Sequence, residues 1–351
     1  MSAAPALNIL TYVAVLMAAA VGADRLLAQR LYAEPDRLVP AYRTFNEPSE
    51  GVKLKQLSDT DVRLNTLVLG NSRALSAVDP ELLDRSLAEL GVQTESFNLA
   101  LPTIDVRFWP PFFERFYDRA PPRNVLLGVI PRDIDARNTI AEVQGQAFRS
   151  SPGFANRDRS RVWREAEEAL ADLYTLRGRG NELRRAGPSA LLHGDTIDRP
   201  GFRPRGDRGG AVFDPSLVLT PGELAANARR LADRSGPRRL RVGAEQTAAL
   251  EKLDRLVRAG GGCLTLFTTP LLYDREEYGN VEVIRAFQRT LRQFAREHPT
   301  VGFLDVGARV QAGYDLRDFA DGDHLSATGA RRFTPELAQA VAPRLDRPCG
   351  T

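Results

Sequence analysis

The sequence predicts an α/β fold built on a doubly wound parallel sheet of five strands. Short apolar runs alternate with longer segments of helical periodicity, and this order is typical of parallel strands joined by crossover helices. The runs are apolar at consecutive positions, as expected for strands covered on both faces. With 351 residues, of which 43% are hydrophobic, the chain can form a substantial core.

The strands and helices can be placed in chain order. The five predicted strands are residues 65–69, 95–99, 125–130, 263–269 and 302–306. A helix is expected to start at Asp79-Pro80, because aspartate caps helices well and proline fits the first helical turn. Further helices are predicted over residues 160–186, 221–259, 281–297 and 328–345. Residues 107–119 are rich in aromatic side chains and are expected to pack in the core.

Residues 6–23 form an uncharged and mostly apolar segment. Its eighteen residues are close to the about 20 that a helix needs to cross a bilayer. Three interpretations are open: a single-pass anchor, a signal peptide cleaved after residue 23, and a buried helix. No Lys or Arg precedes the segment, so the usual cytoplasmic positive charge is missing. We favour an uncleaved transmembrane helix, with the protein anchored in a membrane and its body outside the cytoplasm.

The chain is predicted to have three parts. Residues 1–33 form the anchor or signal peptide, residues 34–59 a linker, and residues 60–347 the α/β domain. Within that domain, residues 139–243 are predicted to be a mostly helical, Arg-rich insertion. The thirteen arginines of residues 149–208 most simply form a solvated face, and contact with an anionic glycan or lipid headgroup is the alternative. The net charge of +3 is close to neutral and indicates no nucleic-acid partner.

The two cysteines are not expected to pair. Cys263 lies in the fourth predicted strand, whereas Cys349 lies in the C-terminal tail. On this expectation, cysteine usage does not indicate a cellular compartment.

Two short segments supply the residue types of a catalytic triad. Ser72 lies in a Gly-Asn-Ser turn after the first predicted strand, and Asp321 precedes His324 by three residues just before the last helix. A serine hydroxyl becomes a good nucleophile when a histidine takes its proton, and a carboxylate fixes the tautomer of that histidine. Since both segments follow strands, a parallel sheet can bring them to one edge.

Neighbouring residues offer competing assignments. Asp323 is closer to His324 in sequence, but we expect it to cap the following helix or to face solvent. His298 lies at a predicted helix end and is interpreted as a solvated C-terminal cap. His193 lies in a Gly- and Arg-rich stretch without a predicted strand beside it.

The end segments resemble the SGNH (GDSL-like) hydrolase superfamily. Residues 69–80 are similar to its first block, with Ser72 at the nucleophile position and Asn71 in place of the more usual aspartate. Residues 321–324 are similar to its last block, with the Asp and His of the family at its two ends. The resemblance covers residues 60–135 and 260–345, and it is strongest for the membrane-anchored branch that includes alginate O-acetylation proteins and the teichoic-acid D-alanyl transfer protein.

The two middle blocks depart from the family pattern. Thr103 stands where the second block normally has glycine, and Arg132 or a neighbour stands where the third block has asparagine. The resemblance implies an oxyanion hole formed by the amides of Ser72 and Thr103 and the side chain of Arg132. An alternative for Arg132 is to face solvent or to pair with Asp133 or Asp135.

The resemblance implies a serine-dependent acyl transfer or ester hydrolysis on a cell-envelope or exported polysaccharide. It also implies a membrane-bound O-acyltransferase as partner, and no cofactor or metal. Because the middle blocks are altered, a second function stays open, namely a membrane-tethered, non-catalytic binding or assembly subunit of a polysaccharide-modification complex.

Overall fold

The computed structural model describes residues 4–31, 53, 57, 63–102, 104–115, 122–138, 202–205, 208–213, 215–235, 239–274 and 281–345. The chain divides into two compact units. One comprises Met1–Lys55 with Gln146–Arg199, and the other comprises Gln56–Gly145 with Pro200–Thr351. The predicted domain boundaries stay a prediction, because residues 139–201 lie outside the described residues.

The first unit contains helix α1, Ala4–Leu31. Residues 6–23, which we expected to form a transmembrane helix, are helical as part of α1. However, within the described ranges no helix combines the length and the apolar character needed to cross a membrane. That expectation is therefore not supported.

The second unit contains a five-stranded sheet, a two-stranded sheet and the helices around them. Its described strands are β1 Thr66–Gly70, β2 Ser96–Asn98, β3 Asn124–Gly128, β4 Phe202–Arg205, β5 Gly210–Phe213, β6 Cys263–Phe267 and β7 Val301–Leu304. Its described α-helices are α2 Ser72–Ala77, α3 Pro80–Glu89, α4 Trp109–Arg115, α5 Pro221–Ser235, α6 Ala244–Ala259, α7 Val281–Glu297, α8 Val306–Val310 and α9 Ala327–Leu345.

The large sheet is parallel throughout, with strand order β2-β1-β3-β6-β7. This is the flavodoxin-like order, in which ligands bind at the carboxyl edge where the winding reverses, here between β1 and β3. The residues of β1 and β3 are all buried, as their continuous apolar pattern predicted. The predicted doubly wound parallel five-stranded sheet is confirmed, although β3, β6 and β7 end two residues earlier than expected.

The helices pack on this sheet in two groups. Helix α9 packs on α2 and α3, whereas α6 packs on α4 and β6. Of the aromatic segment predicted to pack in the core, the described part is buried, with Phe108, Trp109 and Phe112 in mutual ring contact. Residues 116–119 of that segment lie outside the described residues. The segment predicted as one helix over residues 221–259 forms two helices, α5 and α6. The sequence Gly236-Pro237 follows α5, and this pair disfavours continued helix.

Strands β4 and β5 form a β-hairpin within residues 139–243, which were predicted to be a mostly helical insertion. Strand β4 pairs antiparallel with β5, and the turn between them includes Gly209 at a φ of +71°. The hairpin is tied to the large sheet because the amide of Asn98 donates to the carbonyl of Arg208 at 2.9 Å. Periodicity did not reveal the hairpin, because β4 reads Phe-Arg-Pro-Arg and β5 has only four residues.

The expectation about the cysteines is wrong, because Cys263 is disulfide-bonded. The sequence contains one other cysteine, Cys349. Helix α9 ends beside the start of β7, where the Arg344 guanidinium lies against Gly302. Since Val301 of β7 pairs with Leu264, this end of α9 is close to the start of β6. The described end of α9 therefore lies near Cys263, the first residue of β6.

Candidate active site

Ser72 lies directly beyond the carboxyl end of β1, as the first residue of α2. The strand ends at Gly70, whose φ of +140° suits glycine. A Cβ there would lie 2.6 Å from the Cβ of Ala74 and 2.8 Å from the carbonyl oxygen of Gly128. The tight turn that places Ser72 at the sheet edge therefore requires glycine at position 70.

Asn71 caps α2 and joins it to the turn after β3. Its Oδ1 accepts from the amide of Arg73 at 2.9 Å, and its Nδ2 donates to Oδ2 of Asp133 at 2.7 Å. The same Asp133 oxygen accepts from the amide of Ile130 at 2.9 Å. Asparagine suits position 71, because a carboxylate here would repel Asp133 whereas the amide donates to it.

The structure brings Ser72, His324 and Asp321 together. His324 Nε2 lies 2.8 Å from Ser72 Oγ, and His324 Nδ1 lies 2.8 Å from Asp321 Oδ2. Asp321 also accepts from the backbone amides of Asp323 and His324 at 2.9 and 2.8 Å, which fixes the carboxylate in its turn. This arrangement suits an imidazole with its proton on Nδ1 and with Nε2 free to accept from the serine hydroxyl.

His324 is held in a largely dry environment. Burial lowers its pKa, and the positive charges of Arg73 and Arg132 lower it further, while the hydrogen bond that His324 donates to Asp321 opposes the shift. The ring of Phe213, from the hairpin strand β5, stacks on His324 with centroids 5.5 Å apart. His324 is therefore neutral at neutral pH, which is the form that can take a proton from Ser72.

Asp323 does not behave as expected. It is buried, its Oδ1 lies 3.0 Å from His324 Nδ1, and its Oδ2 forms an ion pair with Arg73. Asp321 meets hydrogen-bond geometry to His324 Nδ1 with both of its oxygens. The cause of the burial of Asp323 is Arg73, a cation that requires a carboxylate partner inside the protein.

Arg73 is a site residue that the sequence reasoning missed. Its side chain is buried, and its Nη1 lies 3.3 Å from Ser72 Oγ. Burial and the charge of Arg132 lower its pKa to about 10. A signal was available in the sequence, since Arg73 directly follows the candidate nucleophile and is followed by the apolar residues Ala74 and Leu75.

The residues expected to form the oxyanion hole have different outcomes. Ser72 is in place, whereas Thr103 lies outside the described residues. Arg132 is half-buried in the turn after β3, and its positive charge lowers the pKa of both Arg73 and His324. Asp135, one of its expected partners, pairs instead with Arg137 at 2.8 Å.

Of the other two histidines, His298 is not part of this cluster. His298 directly follows α7 and stacks on Phe294 with centroids 4.3 Å apart, and its Nε2 lies 3.8 Å from Glu251. His193 lies outside the described residues.

A metal is one further possibility for the acidic turn. One ligand atom each from Asp321, Asp323 and His324 lies within 4.8 Å of the others. However, Arg73 already balances the charge of Asp323, and His324 uses Nδ1 to contact Asp321. We therefore assign no metal to this turn.

A cavity of about 470 Å³ lies at the carboxyl ends of β3, β6 and β7. Its lining includes Ile130 and Pro131, which precede Arg132, together with Thr268, Asp305 and Tyr314. It provides a mixed polar and apolar space at the sheet edge to which Ser72 belongs.

Comparisons with known proteins do not assign the chain to a family. No protein-family model matches the sequence, and no curated protein matches it with significant similarity. Among solved structures, the chain is similar to the crystal structure of the lipase/acylhydrolase from Enterococcus faecalis, with 13% sequence identity and a TM-score of 0.39. The alignment covers 82% of this chain and 100% of the other. A similarity this low does not show a shared activity, so the functional account rests on the geometry of Ser72, His324 and Asp321.

Proposed function

We propose that the protein is a serine-dependent esterase or acyltransferase whose reaction passes through an acyl-Ser72 intermediate. The observation that carries the proposal is the 2.8 Å contact between Ser72 Oγ and His324 Nε2, with Asp321 on the opposite ring nitrogen. A nucleophilic hydroxyl, a neutral base and an orienting carboxylate are what acyl transfer requires. The sequence resemblance to SGNH hydrolases at the same three residues supports this assignment.

The first half of the reaction forms the acyl-enzyme. Ser72 Oγ attacks the carbonyl carbon of an acyl ester while His324 Nε2 takes the hydroxyl proton. The carbonyl π electrons move to oxygen and give a tetrahedral intermediate. When this intermediate collapses, the bond to the leaving alcohol breaks and His324 returns the proton to the alcohol oxygen. Asp321 stabilises the imidazolium that exists between these two proton transfers.

The second half reverses these steps with a new acceptor. Water or a sugar hydroxyl gives its proton to His324 and attacks the acyl carbon, and collapse of the second tetrahedral intermediate frees Ser72. Water as acceptor gives an esterase, whereas a sugar hydroxyl gives an O-acyltransferase. Which of them reacts depends on whether an acceptor excludes water from the site.

The tetrahedral oxygen needs hydrogen-bond donors. The amide of Ser72 is the first in α2 and has no intrahelical acceptor. We assign Arg132 as a second donor, because its buried Nε has no hydrogen-bond partner among the described residues and its charge reaches His324. The amide of Thr103 is a third donor on the basis of the resemblance alone.

For the substrate we propose an acylated polysaccharide of the cell envelope or of exported material. A membrane-bound O-acyltransferase is the proposed partner. Both follow from the resemblance to envelope-modifying SGNH proteins. The non-catalytic alternative has less support, because Ser72, His324 and Asp321 lie at the distances that a catalytic triad requires.

We also propose that the α/β body lies outside the cytoplasm. The bonded state of Cys263 supports this location, because disulfides persist mainly in oxidising compartments. Thiol alkylation of intact cells followed by peptide mapping should recover Cys263 in disulfide form. Recovery of Cys263 as an alkylated free thiol would contradict the proposed location.

Hydrolysis of p-nitrophenyl acetate tests the activity. The Ser72→Ala variant should lose turnover, whereas Ser96→Ala should keep it, since Ser96 is a buried serine in β2 that bonds to Asp84. Unchanged turnover in Ser72→Ala would overturn the nucleophile assignment. Adding a deacylated polysaccharide as acceptor then distinguishes transfer from hydrolysis, because mass spectrometry detects the acylated polysaccharide only when transfer occurs.

A further inference from the structure

Arg73 is an unusual residue to find beside a nucleophile. It is buried in the first turn of α2, where the helix dipole disfavours a cation. Burial of an unpaired guanidinium is costly, and Asp323 offsets this cost through their ion pair. A purely structural role would not require Arg73 to reach Ser72, yet its Nη1 lies 3.3 Å from Ser72 Oγ.

Two partners therefore converge on Ser72 Oγ. His324 Nε2 lies at 2.8 Å and accepts the hydroxyl proton, while Arg73 Nη1 lies at 3.3 Å and donates to the same oxygen. As the proton moves to His324, negative charge develops on the reacting oxygen atoms, and Arg73 already faces it. A preorganised cation of this kind stabilises the transition state more than the neutral ground state.

The charges around His324 show a second consequence. Ser72 and Arg73 face the ring from α2, and Asp321 and Asp323 contact it from its own turn. The charge of Arg132, in the turn after β3, lowers the pKa of His324, and Phe213 of β5 covers the ring. The pKa of Arg73 is in turn raised by the charges of Tyr273, Asp133 and Asp321. With Arg73 absent, two carboxylates would lie on His324 Nδ1 and would favour the protonated ring, which cannot act as a base.

We propose that Arg73 is a further catalytic residue, which stabilises the negative charge on the reacting oxygens and keeps His324 neutral, with Asp323 as its positioning residue. This inference rests on the proposed function, and it assigns to one buried ion pair both a charge-stabilising and a base-tuning role. Two groups then contact the Ser72 hydroxyl, and each has its own carboxylate partner. His324 is paired with Asp321, and Arg73 is paired with Asp323.

The test compares pH–rate profiles for p-nitrophenyl acetate hydrolysis and for fluorophosphonate labelling of Ser72. In Arg73→Gln, kcat/KM should fall about 100-fold, and the acid limb should move to higher pH by about one unit. Arg73→Lys should keep the acid limb close to that of the wild type and lose less rate, since it retains the charge but not the planar fork. Asp323→Asn should move the acid limb to lower pH, because it removes a negative charge 3.0 Å from His324 Nδ1.

A matched control is Arg258→Gln. Arg258 pairs at 3.0 Å with the buried Asp254 near the end of α6, at the opposite edge of the sheet. This variant should lose stability without a change in the acid limb. Coincident acid limbs in Arg73→Gln and the wild type would overturn the inference while leaving the triad intact. If Arg73→Gln does not fold, Arg73→Lys and Asp323→Asn still decide, because the first should leave the acid limb in place and the second should move it to lower pH. Equal acid limbs in Asp323→Asn and the wild type would then overturn the inference. A wild-type protein that the probe does not label at Ser72 would instead overturn the proposed function.

Discussion

Asn71 Nδ2 lies 2.7 Å from Asp133 Oδ2, and this hydrogen bond joins the turns that follow the neighbouring strands β1 and β3. Asn71 at the same time caps the helix that begins with Ser72. The position of the candidate nucleophile is therefore set from two strands, on both sides of the point where the winding of the sheet reverses. This is the place where doubly wound folds hold their ligands.

Asn71→Ala removes both of these bonds. We expect the free energy of unfolding to fall by about 2 kcal/mol, the combined effect of a lost cap and a buried carboxylate that loses its donor. Urea denaturation measures this change. Asp79→Ala is the control, because Asp79 caps α3 in the same way but does not contact the triad. Both variants should lose stability, and ester turnover should fall only in Asn71→Ala. Equal turnover in the two variants would show that Asn71 does not position Ser72.

Asp133 predicts a dependence of stability on pH. Burial raises its pKa to about 6, whereas an unfolded aspartate has a pKa of about 3.9. The folded state holds the proton more tightly, so this contribution to stability is fully present below about pH 4 and is lost as the pH rises through about 6. The unfolding free energy of the wild type relative to Asp133→Asn should therefore fall by about 2 kcal/mol between about pH 4 and about pH 8. A difference that stays constant with pH would contradict this account.

The two carboxylates beside His324 should have unequal effects on turnover. Asp321→Asn should lower kcat by about 10³- to 10⁴-fold, because an amide at this position no longer fixes the imidazole tautomer. Asp323→Asn should cost less, because Asp323 acts on His324 through its charge and through Arg73. Steady-state kinetics of both variants check this order. A larger loss in Asp323→Asn would show that Asp323 is the orienting residue.

The acid limb of the wild-type pH–rate profile follows from the same environment. Burial lowers the pKa of His324, so turnover should rise with pH through a midpoint below the about 6.5 of an ordinary histidine. Phe213→Ala should move this midpoint upward, because removing the stacked ring admits water to His324. Phe213→Leu keeps an apolar cover and is the matched control. A midpoint that Phe213→Ala leaves in place would show that the hairpin does not contribute to the dry environment of His324.

Much of the fold could be predicted because its signals are local. Buried parallel strands are apolar at consecutive positions, and Asp79-Pro80 is a local helix start that the structure shows at Pro80. The hairpin β4–β5 could not be predicted, because it depends on the backbone contact between Asn98 and Arg208 and not on periodicity. The disulfide of Cys263 was missed for a related reason, since it depends on where α9 ends in space.

The candidate site shows the same division. Ser72, Asp321 and His324 could be picked out because their residue types have one shared chemistry and a characteristic spacing. The charged groups around them could not, because the sequence does not show that Asp323 turns inward to meet Arg73. Nor does it show that Phe213, far from His324 in the chain, covers the ring. Burial and long-range contact decide these roles.

The central claim is that Ser72 forms a covalent bond to the acyl group, and mass spectrometry of the protein after reaction with a fluorophosphonate tests it most directly. We predict one adduct per chain, located on the peptide that contains Ser72, with labelling that requires neutral His324 and disappears in Ser72→Ala. An adduct on another residue, or labelling that survives in Ser72→Ala, would contradict the assignment of Ser72 as the nucleophile.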